Sequence, residues 1–252
     1  MSALKGLLVL ALLLAHTQVG ASTLRLAGNV WPPYTDRSLP ENGLSVDLIR
    51  TALGRAGYKV DYIEVPWERA VQGVRSGRYD MLNGWPTSKR SGYARHSQPF
   101  LTNRLRWVKR RASDIRYDGL GSLVPYRIAL SRGYRYDDEL ESDSRLTKDY
   151  VSNFVQAAKM LLAQRVDLTL EDERTAQFHF DRELEQVSEA LAFVPGEFSL
   201  LDLTLVVRNG HPQQADIIAA FDREIAEMIA DGSYQAIFKR HGMQAPPLFP
   251  QP

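Results

Sequence analysis

Two adjacent basic side chains in a short predicted turn raise the first question of chemistry. The segment GWPTSKR, residues 84–90, follows the apolar run 79–82, and its glycine and proline predict a turn. Thr87 can cap a helical turn, which would place Lys89 and Arg90 in its first turn. The helix dipole disfavours cations there and favours anions. The pair is therefore either an exposed basic pair or a group that serves a bound anion.

Three consecutive acids form the second candidate. Glu171, Asp172 and Glu173 follow the apolar segment 166–170, which predicts a strand. They open a predicted helix, where acids are favourable without any ligand. In open α/β sheets, however, ligands bind at the carboxyl ends of strands. A structural role and a ligand-binding role therefore both remain open for these acids.

The order of predicted elements indicates how such residues could be positioned. Residues 23–28 and 58–65 predict strands, and apolar residues recur at helical spacing in 44–56. Pro66 is suited to open a second helix, and 79–83 predicts a third strand. This β-α-β-α-β order is typical of parallel strands with crossover helices.

A similar arrangement then begins again. The predicted elements are an extended segment at 103–109, a strand at 126–131, a helix at 153–164 capped by Asn153, a strand at 166–170, a second extended segment at 199–209, and helices over 212–241 with a break at Asp231-Gly232. Residues 70–84 align with 157–171, since in each a helix leads through Arg-x-Asp into an apolar strand. Two matching units predict two similar lobes, with the basic turn facing the acidic one.

The composition is that of a folded globular protein and excludes several functions. The 252 residues suffice for one large or two small domains, and 44% are hydrophobic. The net charge of +1, with basic and acidic residues interspersed, predicts no nucleic-acid partner. The absence of cysteine excludes thiol catalysis and disulfides. Because the five histidines are scattered and no phosphate-binding loop is present, we expect no metal site and no cofactor.

The N-terminus has the features of a secretory signal peptide. Lys5 precedes the uncharged apolar run 6–15, which is too short to span a bilayer comfortably. Val19 and Ala21 occupy the small-residue positions of a cleavage site, so residues 1–21 are expected to be removed after Ala21. The remaining chain then carries equal numbers of basic and acidic residues.

The order and spacing of several segments resemble one family. These segments are LRLAGNVWPPY, GLSVDLIRTALGRAGYKVDYIEVPW, VRSGRYDMLNGWPTSKR, SQPF, AQRVDLTLEDE, LTLVVRNGHP and IAEMIADGSYQAIFKRHG, and together they span about residues 23–243. They are similar to the periplasmic solute-binding proteins of the polar amino-acid type, family 3, which serve ABC importers.

The resemblance implies an α/β fold of the type II-like periplasmic binding protein. Two lobes joined by two crossover strands, near 105–110 and 196–202, would enclose a ligand cleft and close over it. Lobe 1 would comprise residues 22–107 plus 200–243, and lobe 2 residues 108–199. Residues 244–252 would form a flexible tail.

The resemblance also implies which residues bind the ligand. Arg90 would hold the α-carboxylate of the ligand through two parallel hydrogen bonds, assisted by Thr87. Asp172 would pair with the ligand ammonium group, and Glu171 and Glu173 are close alternatives for this role. Trp31 would form one wall of the site.

Three further residues are candidate ligand contacts on weaker grounds. Asn83 ends a strand at the right place but could simply form a turn. Trp85 stands where the family commonly has a smaller residue, in a turn one residue shorter than usual. Tyr134 follows Gly133 where the family has serine or threonine. These departures indicate a bulkier or aromatic-walled pocket.

The leading functional prediction is non-catalytic binding of an amino acid or related small zwitterion by a periplasmic monomer. The partner would be the membrane permease of an ABC importer or, alternatively, a sensor. A second hypothesis is an enzyme on the same scaffold, similar to the cyclohexadienyl or arogenate dehydratases. Glu171, Glu173 or Tyr134 could then act as general acid or base, although no spacing identifies one catalytic residue.

Overall fold

The computed structural model describes residues 23–86, 92–132, 134 and 136–246. The strands are β1 Thr23–Gly28, β2 Lys59–Glu64, β3 Met81–Gly84, β4 Ala94–Arg110, β5 Arg127–Ser131, β6 Thr147–Val151, β7 Leu168–Asp172, β8 Leu191–Phe193 and β9 Ser199–Arg208. The helices are α1 Leu44–Arg55, α2 Trp67–Ser76, α3 Asp138–Ser142, α4 Phe154–Leu162, α5 Glu173–Phe180, α6 Gln214–Ala230 and α7 Ser233–Arg240. Three short 3-10 turns lie at Pro40–Asn42, Leu120–Leu123 and Glu185–Ala190.

The described strands form one sheet in the order β2-β1-β3-β9-β4-β7-β5-β6, with β8 added on β4. Two parallel trios, β1 to β3 and β5 to β7, lie at opposite ends of this order. In each trio, the first strand along the chain lies between the second and the third. We call the β1–β3 trio, with α1, α2, α6 and α7, the first half, and the β5–β7 trio, with α3 to α5, the second half.

The two halves also share a hydrogen-bonded motif at the Arg-x-Asp segments. The N–H of Asp80 donates to the carbonyl of Arg25 (3.0 Å), and the Asp80 carboxylate accepts from the N–H of Arg25 (2.9 Å). Asp167 and Arg127 make the same reciprocal pair at 2.7 and 3.0 Å. Each aspartate thus ties the start of one strand to its parallel neighbour, which bears out the internal similarity seen in the sequence.

Two long strands connect the halves. β4 pairs with β9 over residues 94–105 and then with β7 over 105–109, all antiparallel. The predicted extended segment at 103–109 is therefore only the end of a 17-residue strand, because pairing with β9 continues the ladder toward the N-terminus. The predicted lobe boundaries at 107/108 and 199/200 fall on β4 and β9, and they remain a prediction.

Most helices and strands lie where the sequence predicts them. Asn153 caps α4 by accepting from the N–H of Gln156 (2.9 Å), and Gly232, with φ of +81°, separates α6 from α7. Pro66 precedes α2 instead of opening it. The sequence did not predict β6, because polar and apolar residues alternate only weakly along it and most of this edge strand is accessible.

The largest apolar cluster joins both halves. In the first half it includes Leu26, Leu48 and Phe221, and in the second half it includes Ile128 and Leu168, all completely buried. Such a continuous core positions the two halves against each other along β4 and β9. Among the described residues, no helix has the length and apolar character needed to cross a bilayer.

Candidate ligand-binding cavity

A cavity of about 170 Å³ lies between the two halves. Its walls are residues 29–32, Trp67, residues 83–85 and Leu203 from the first half and β9, and Ser131, Arg132, Tyr134, residues 152–154, Glu171, Thr175 and His179 from the second half. Most of them follow the carboxyl ends of β1, β3, β5, β6 and β7, where open α/β sheets bind ligands. The volume is below the roughly 300 Å³ at which drug-sized sites begin, so the cavity suits a small solute.

The seven residues predicted to bind ligand fall into three groups. Trp31, Asn83, Trp85 and Tyr134 line the cavity, Asp172 does not, and Thr87 and Arg90 lie outside the described residues. The ligand-binding role of each remains a prediction. The cavity wall nevertheless brings together four of these side chains from both halves of the molecule.

Trp31 is presented by a tight turn after β1. Its backbone N–H donates to the carbonyl of Thr35 (2.6 Å), its carbonyl accepts from the N–H of Tyr34 (2.9 Å), and the Pro32–Pro33 peptide bond is cis. The indole packs on the Tyr34 ring with centroids 4.4 Å apart. Its buried indole nitrogen has no hydrogen-bond partner among the described residues. Backbone hydrogen bonds and ring packing thus hold Trp31 in the cavity wall, with an indole donor that no described residue uses.

Trp85 and Asn83 are held by hydrogen bonds within the protein. The Trp85 indole nitrogen donates to the side-chain oxygen of Asn103 (2.8 Å), and the Asn83 amide donates to the hydroxyl of Ser45 (3.3 Å). Both side chains are nearly completely buried. These contacts orient the floor of the cavity in the first half.

Tyr134 brings the aromatic wall of the second half to that of the first. Its ring lies 6.3 Å from Trp31 at 84° and 5.9 Å from Trp85 at 64°, measured between ring centroids. It also stacks on Tyr136 at 5.7 Å. An aromatic cluster therefore bridges the two halves, in agreement with the aromatic-walled pocket expected from the sequence.

Asp172 is completely buried and caps a helix. Its carboxylate accepts from the hydroxyl of Tyr34 (2.8 Å), the amide of Asn103 (3.1 Å) and the N–H of Thr175 in the first turn of α5 (3.0 Å). Burial raises the pKa of Asp172, and these hydrogen bonds oppose that rise. Protein donors therefore occupy the carboxylate oxygens, and two of these donors, Tyr34 and Asn103, belong to the first half and to β4.

Glu171, one of the two alternatives to Asp172, points to the opposite face of β7 from Asp172 and lines the cavity. Its carboxyl group is fully buried and accepts from the N–H of Asp172 (2.9 Å), and the nearby Tyr134 hydroxyl favours its ionised form. Burial, reinforced by the adjacent Asp172 charge, raises the pKa of Glu171 to about 8. The cavity thus contains a carboxyl group that is largely protonated at neutral pH.

Glu173, the other alternative to Asp172, belongs to an ion-pair cluster. Its carboxylate contacts the guanidinium groups of Arg106 (2.5 Å) and Arg104 (3.7 Å), and it is not part of the cavity wall. Both arginines lie on β4, so Glu173 ties the start of α5 to the strand that connects the halves.

Sequence reasoning missed two polar residues of α5 in the cavity wall. Thr175 and His179 are one helical turn apart and share a face, a spacing that could have indicated them. The Thr175 hydroxyl has no described partner, whereas His179 Nδ1 lies 3.1 Å from Glu183. Burial lowers the pKa of His179. No three histidine, aspartate or glutamate side chains in the described ranges are grouped to hold a metal ion.

An α/β fold with two matching halves and a solute-sized cavity between them defines a two-lobed solute-binding protein. The sequence profile of the bacterial extracellular solute-binding proteins, family 3, matches residues 26–244. The chain belongs to this family.

Similarity to individual proteins agrees with this family membership. The chain is 24% identical over 225 residues to the L-cystine-binding protein TcyA of Bacillus subtilis (strain 168), covering 88% of this chain and 81% of TcyA. A histidine kinase sensor domain with similarity to periplasmic binding proteins superposes with a TM-score of 0.75 at 22% identity, covering 90% of this chain and 99% of that one. The ancestral amino acid-binding protein AncCDT-1, a precursor of cyclohexadienyl dehydratase, gives 0.68 at 18% identity, covering 87% and 95%.

Proposed function

We propose that this protein binds an amino acid or a related small zwitterion in the cavity between its halves, without chemical change. The observation that carries the proposal is the cavity itself, which residues from both halves line at the carboxyl ends of the strands. Family membership supports it, as do the names of TcyA and AncCDT-1, which describe binding of L-cystine and of amino acids.

Binding would use opposite charges from the two halves. Arg90, assisted by Thr87, takes the ligand carboxylate, and a carboxylate at the end of β7 offsets the ammonium group. Trp31, Trp85 and Tyr134 cover the rest of the ligand, and Asn83 lies at the cavity floor. Ligand bound to both halves favours their closed arrangement, because only that arrangement offers all contacts at once.

Replacing Arg90 by alanine is expected to abolish ligand-induced stabilisation. A ligand at 100 times its Kd stabilises a protein by about 2.7 kcal/mol, which is a rise of about 5–10 °C in Tm for a domain of this size. A thermal-shift screen of amino acids, polyamines and organic acids identifies such a ligand. The same ligand should then leave the Tm of R90A unchanged.

Lys89→Ala is the matched control, because it removes the neighbouring positive charge without removing a guanidinium. Its ligand-induced shift should stay close to that of the unmodified protein. An undiminished shift in R90A, or equal losses in both variants, would contradict the role assigned to Arg90.

An enzymatic function is the second candidate, and Glu171 is the observation that favours it. A buried carboxyl group with a pKa of about 8 in the cavity wall is suited to general acid–base chemistry near neutral pH. Incubation with cyclohexadienyl amino-acid precursors, followed by product analysis, distinguishes turnover from saturable binding. Product formation that Glu171→Gln abolishes would support the enzyme.

The proposed location is the periplasm, and the proposed partner is the permease of an ABC importer. Similarity to the kinase sensor domain keeps a sensory partner as the alternative. We expect the protein to act as a monomer. If residues 1–21 are a signal peptide, mass spectrometry of the exported protein should show a chain that begins at Ser22. An exported chain that retains its N-terminus would contradict this cleavage.

A further inference from the structure

We propose that Arg208 and His211, with Arg25 beside them, form a binding site for a phosphate group on the first half, at the opposite edge of the sheet from the ligand cavity. The cavity lies at the carboxyl ends of the strands, whereas this site lies where β1 and β3 begin and β9 ends. This inference goes beyond the proposed function, because it concerns a second ligand and a separate surface.

One buried carboxylate brings the three side chains together. Asp80 is only 5% exposed and accepts from Nε (3.0 Å) and Nη2 (2.9 Å) of Arg25. Arg208 Nε lies 3.6 Å from Oδ1 of the same carboxylate, and His211 Nε2 lies 4.0 Å from it. These two distances are too long for hydrogen bonds. Arg25 therefore compensates the charge of Asp80, and the donors of Arg208 and His211 stay available.

The second half shows what the equivalent arginine does when the protein supplies its acceptors. Arg110 ends β4 beside Asp167, as Arg208 ends β9 beside Asp80. The Arg110 guanidinium donates to the Asp167 carboxylate (3.1 Å) and to two backbone carbonyls near the end of α4 (3.0 and 2.7 Å). The Arg208 guanidinium makes no hydrogen bond to a described residue, and its Nε is buried without a partner. The repeat thus leaves one planar guanidinium without acceptors.

His211 supplies a second donor at the same place. Its Nδ1 accepts from the N–H of Gln213 (3.1 Å), which assigns the proton of the neutral ring to Nε2. The side chain is only 9% exposed, and within the described ranges Nε2 has no hydrogen-bond partner. Burial lowers the pKa of His211, so the ring donates from Nε2 in its neutral form.

Two glycines leave the Arg208 guanidinium uncovered. A Cβ atom at Gly77 would lie 3.8 Å from Arg208 Nη1, and one at Gly210 would lie 4.0 Å from it. A side chain at either position would therefore contact the guanidinium edge. Because glycine occupies both positions and the Arg208 side chain is 21% exposed, an anion can reach its terminal nitrogens.

The surrounding surface carries further positive charge. Arg75 and Arg78 flank Gly77 in sequence, are exposed, and lie over the rings of Tyr93 (4.5 Å) and Tyr79 (5.7 Å). Neither arginine forms an ion pair with a described acid. Such a surplus of positive charge attracts anions. A phosphate group suits the site because its several oxygens can accept from the guanidinium fork and from the imidazole at once.

Titration with inorganic phosphate, followed by NMR at pH 7 and constant ionic strength, tests this inference. We expect saturable shifts in the amide signals of Gly77 and Gly210 and in the ring signals of His211. Arg208→Ala should weaken phosphate binding by about tenfold or more, since it removes charge-assisted hydrogen bonds. Arg208→Lys keeps the charge without the planar fork, so its affinity should lie between those of R208A and the unmodified protein.

Arg223→Ala is the matched control, because Arg223 on α6 is an exposed arginine of the same half that pairs with Glu224 (2.9 Å). It should bind phosphate like the unmodified protein. Circular dichroism checks the fold of each variant, and R208K carries the comparison if R208A unfolds. A cavity ligand should raise the Tm of R208A and R223A alike, so failure of the phosphate site leaves the proposed function standing.

Sedimentation with lipid vesicles distinguishes a lipid headgroup from free phosphate. Retention on phosphatidylglycerol but not on phosphatidylcholine, lost in R208A and kept in R223A, would identify an anionic headgroup as the ligand. Saturable binding of inorganic phosphate without retention on vesicles would identify the free ion. Phosphate shifts that never saturate, together with no retention on phosphatidylglycerol, would overturn the inference. Binding by R208A equal to that of R223A would overturn it as well.

Discussion

Replacing Asp172 by alanine should lower the free energy of unfolding by about 3 kcal/mol at pH 7. The change removes a helix cap, which typically contributes about 1 kcal/mol. It also leaves the hydroxyl of Tyr34 and the amide of Asn103 buried without this acceptor, at about 1–3 kcal/mol for each unsatisfied group. Relief from burying the acid offsets part of this loss. Urea denaturation followed by circular dichroism measures the difference.

Two further variants separate the parts of this effect. Asp172→Asn retains one side-chain oxygen as an acceptor, so it should be less destabilising than Asp172→Ala. Adding Tyr34→Phe to Asp172→Ala removes the stranded hydroxyl and should recover part of the lost stability. If Asp172→Ala kept its stability and lost only ligand binding, the residue would be a ligand contact without a structural role.

Replacing Gly73 by alanine should destabilise the protein by about 3 kcal/mol. Gly73 lies in α2 against the ring of Tyr79, and a Cβ atom there would lie 2.1 and 2.3 Å from two ring carbons. Tyr79 is buried, and its N–H donates to the carbonyl of Gly73 (3.0 Å), so the ring has little room to move. Overpacking of this kind costs about 1–3 kcal/mol or more, which exceeds the helix propensity gained from alanine, about 1 kcal/mol.

Gly54→Ala is the matched control with the opposite sign. Gly54 lies near the end of α1, and a Cβ atom there meets nothing within 4 Å. This change should stabilise the protein by about 0.5–1 kcal/mol. Denaturant midpoints of the two variants should therefore lie on opposite sides of that of the unmodified protein. Equal stability of Gly73→Ala and the unmodified protein would show that Tyr79 can move aside.

The sequence was informative wherever a signal is local. The spacing of apolar residues predicted α1 and α4, Asn153 predicted the start of α4, and Asp231-Gly232 predicted the break before α7. The repeated Arg-x-Asp segments predicted two matching units. Each of these signals depends on neighbours within a few residues along the chain, which a single sequence displays directly.

The assignment of the acids at the end of β7 required the tertiary structure. Successive residues of a strand point to opposite faces, but every residue of β7 is buried, so alternation of polarity cannot show which acid faces the cavity. The hydrogen-bond partners of Asp172 distinguish it from Glu171. Tyr34 lies 138 residues before Asp172 and Asn103 lies 69 residues before it, and both contacts depend on how the halves pack along β4.

The sequence by itself therefore determined the elements, their repeated order, the family and a short set of candidate residues. Tertiary structure decided which of them share a cavity, which acid caps a helix, and which carboxyl group burial leaves protonated. The physical reason is that hydrogen bonding and burial of a side chain depend on groups distant in sequence, and only the packed chain brings those groups within reach.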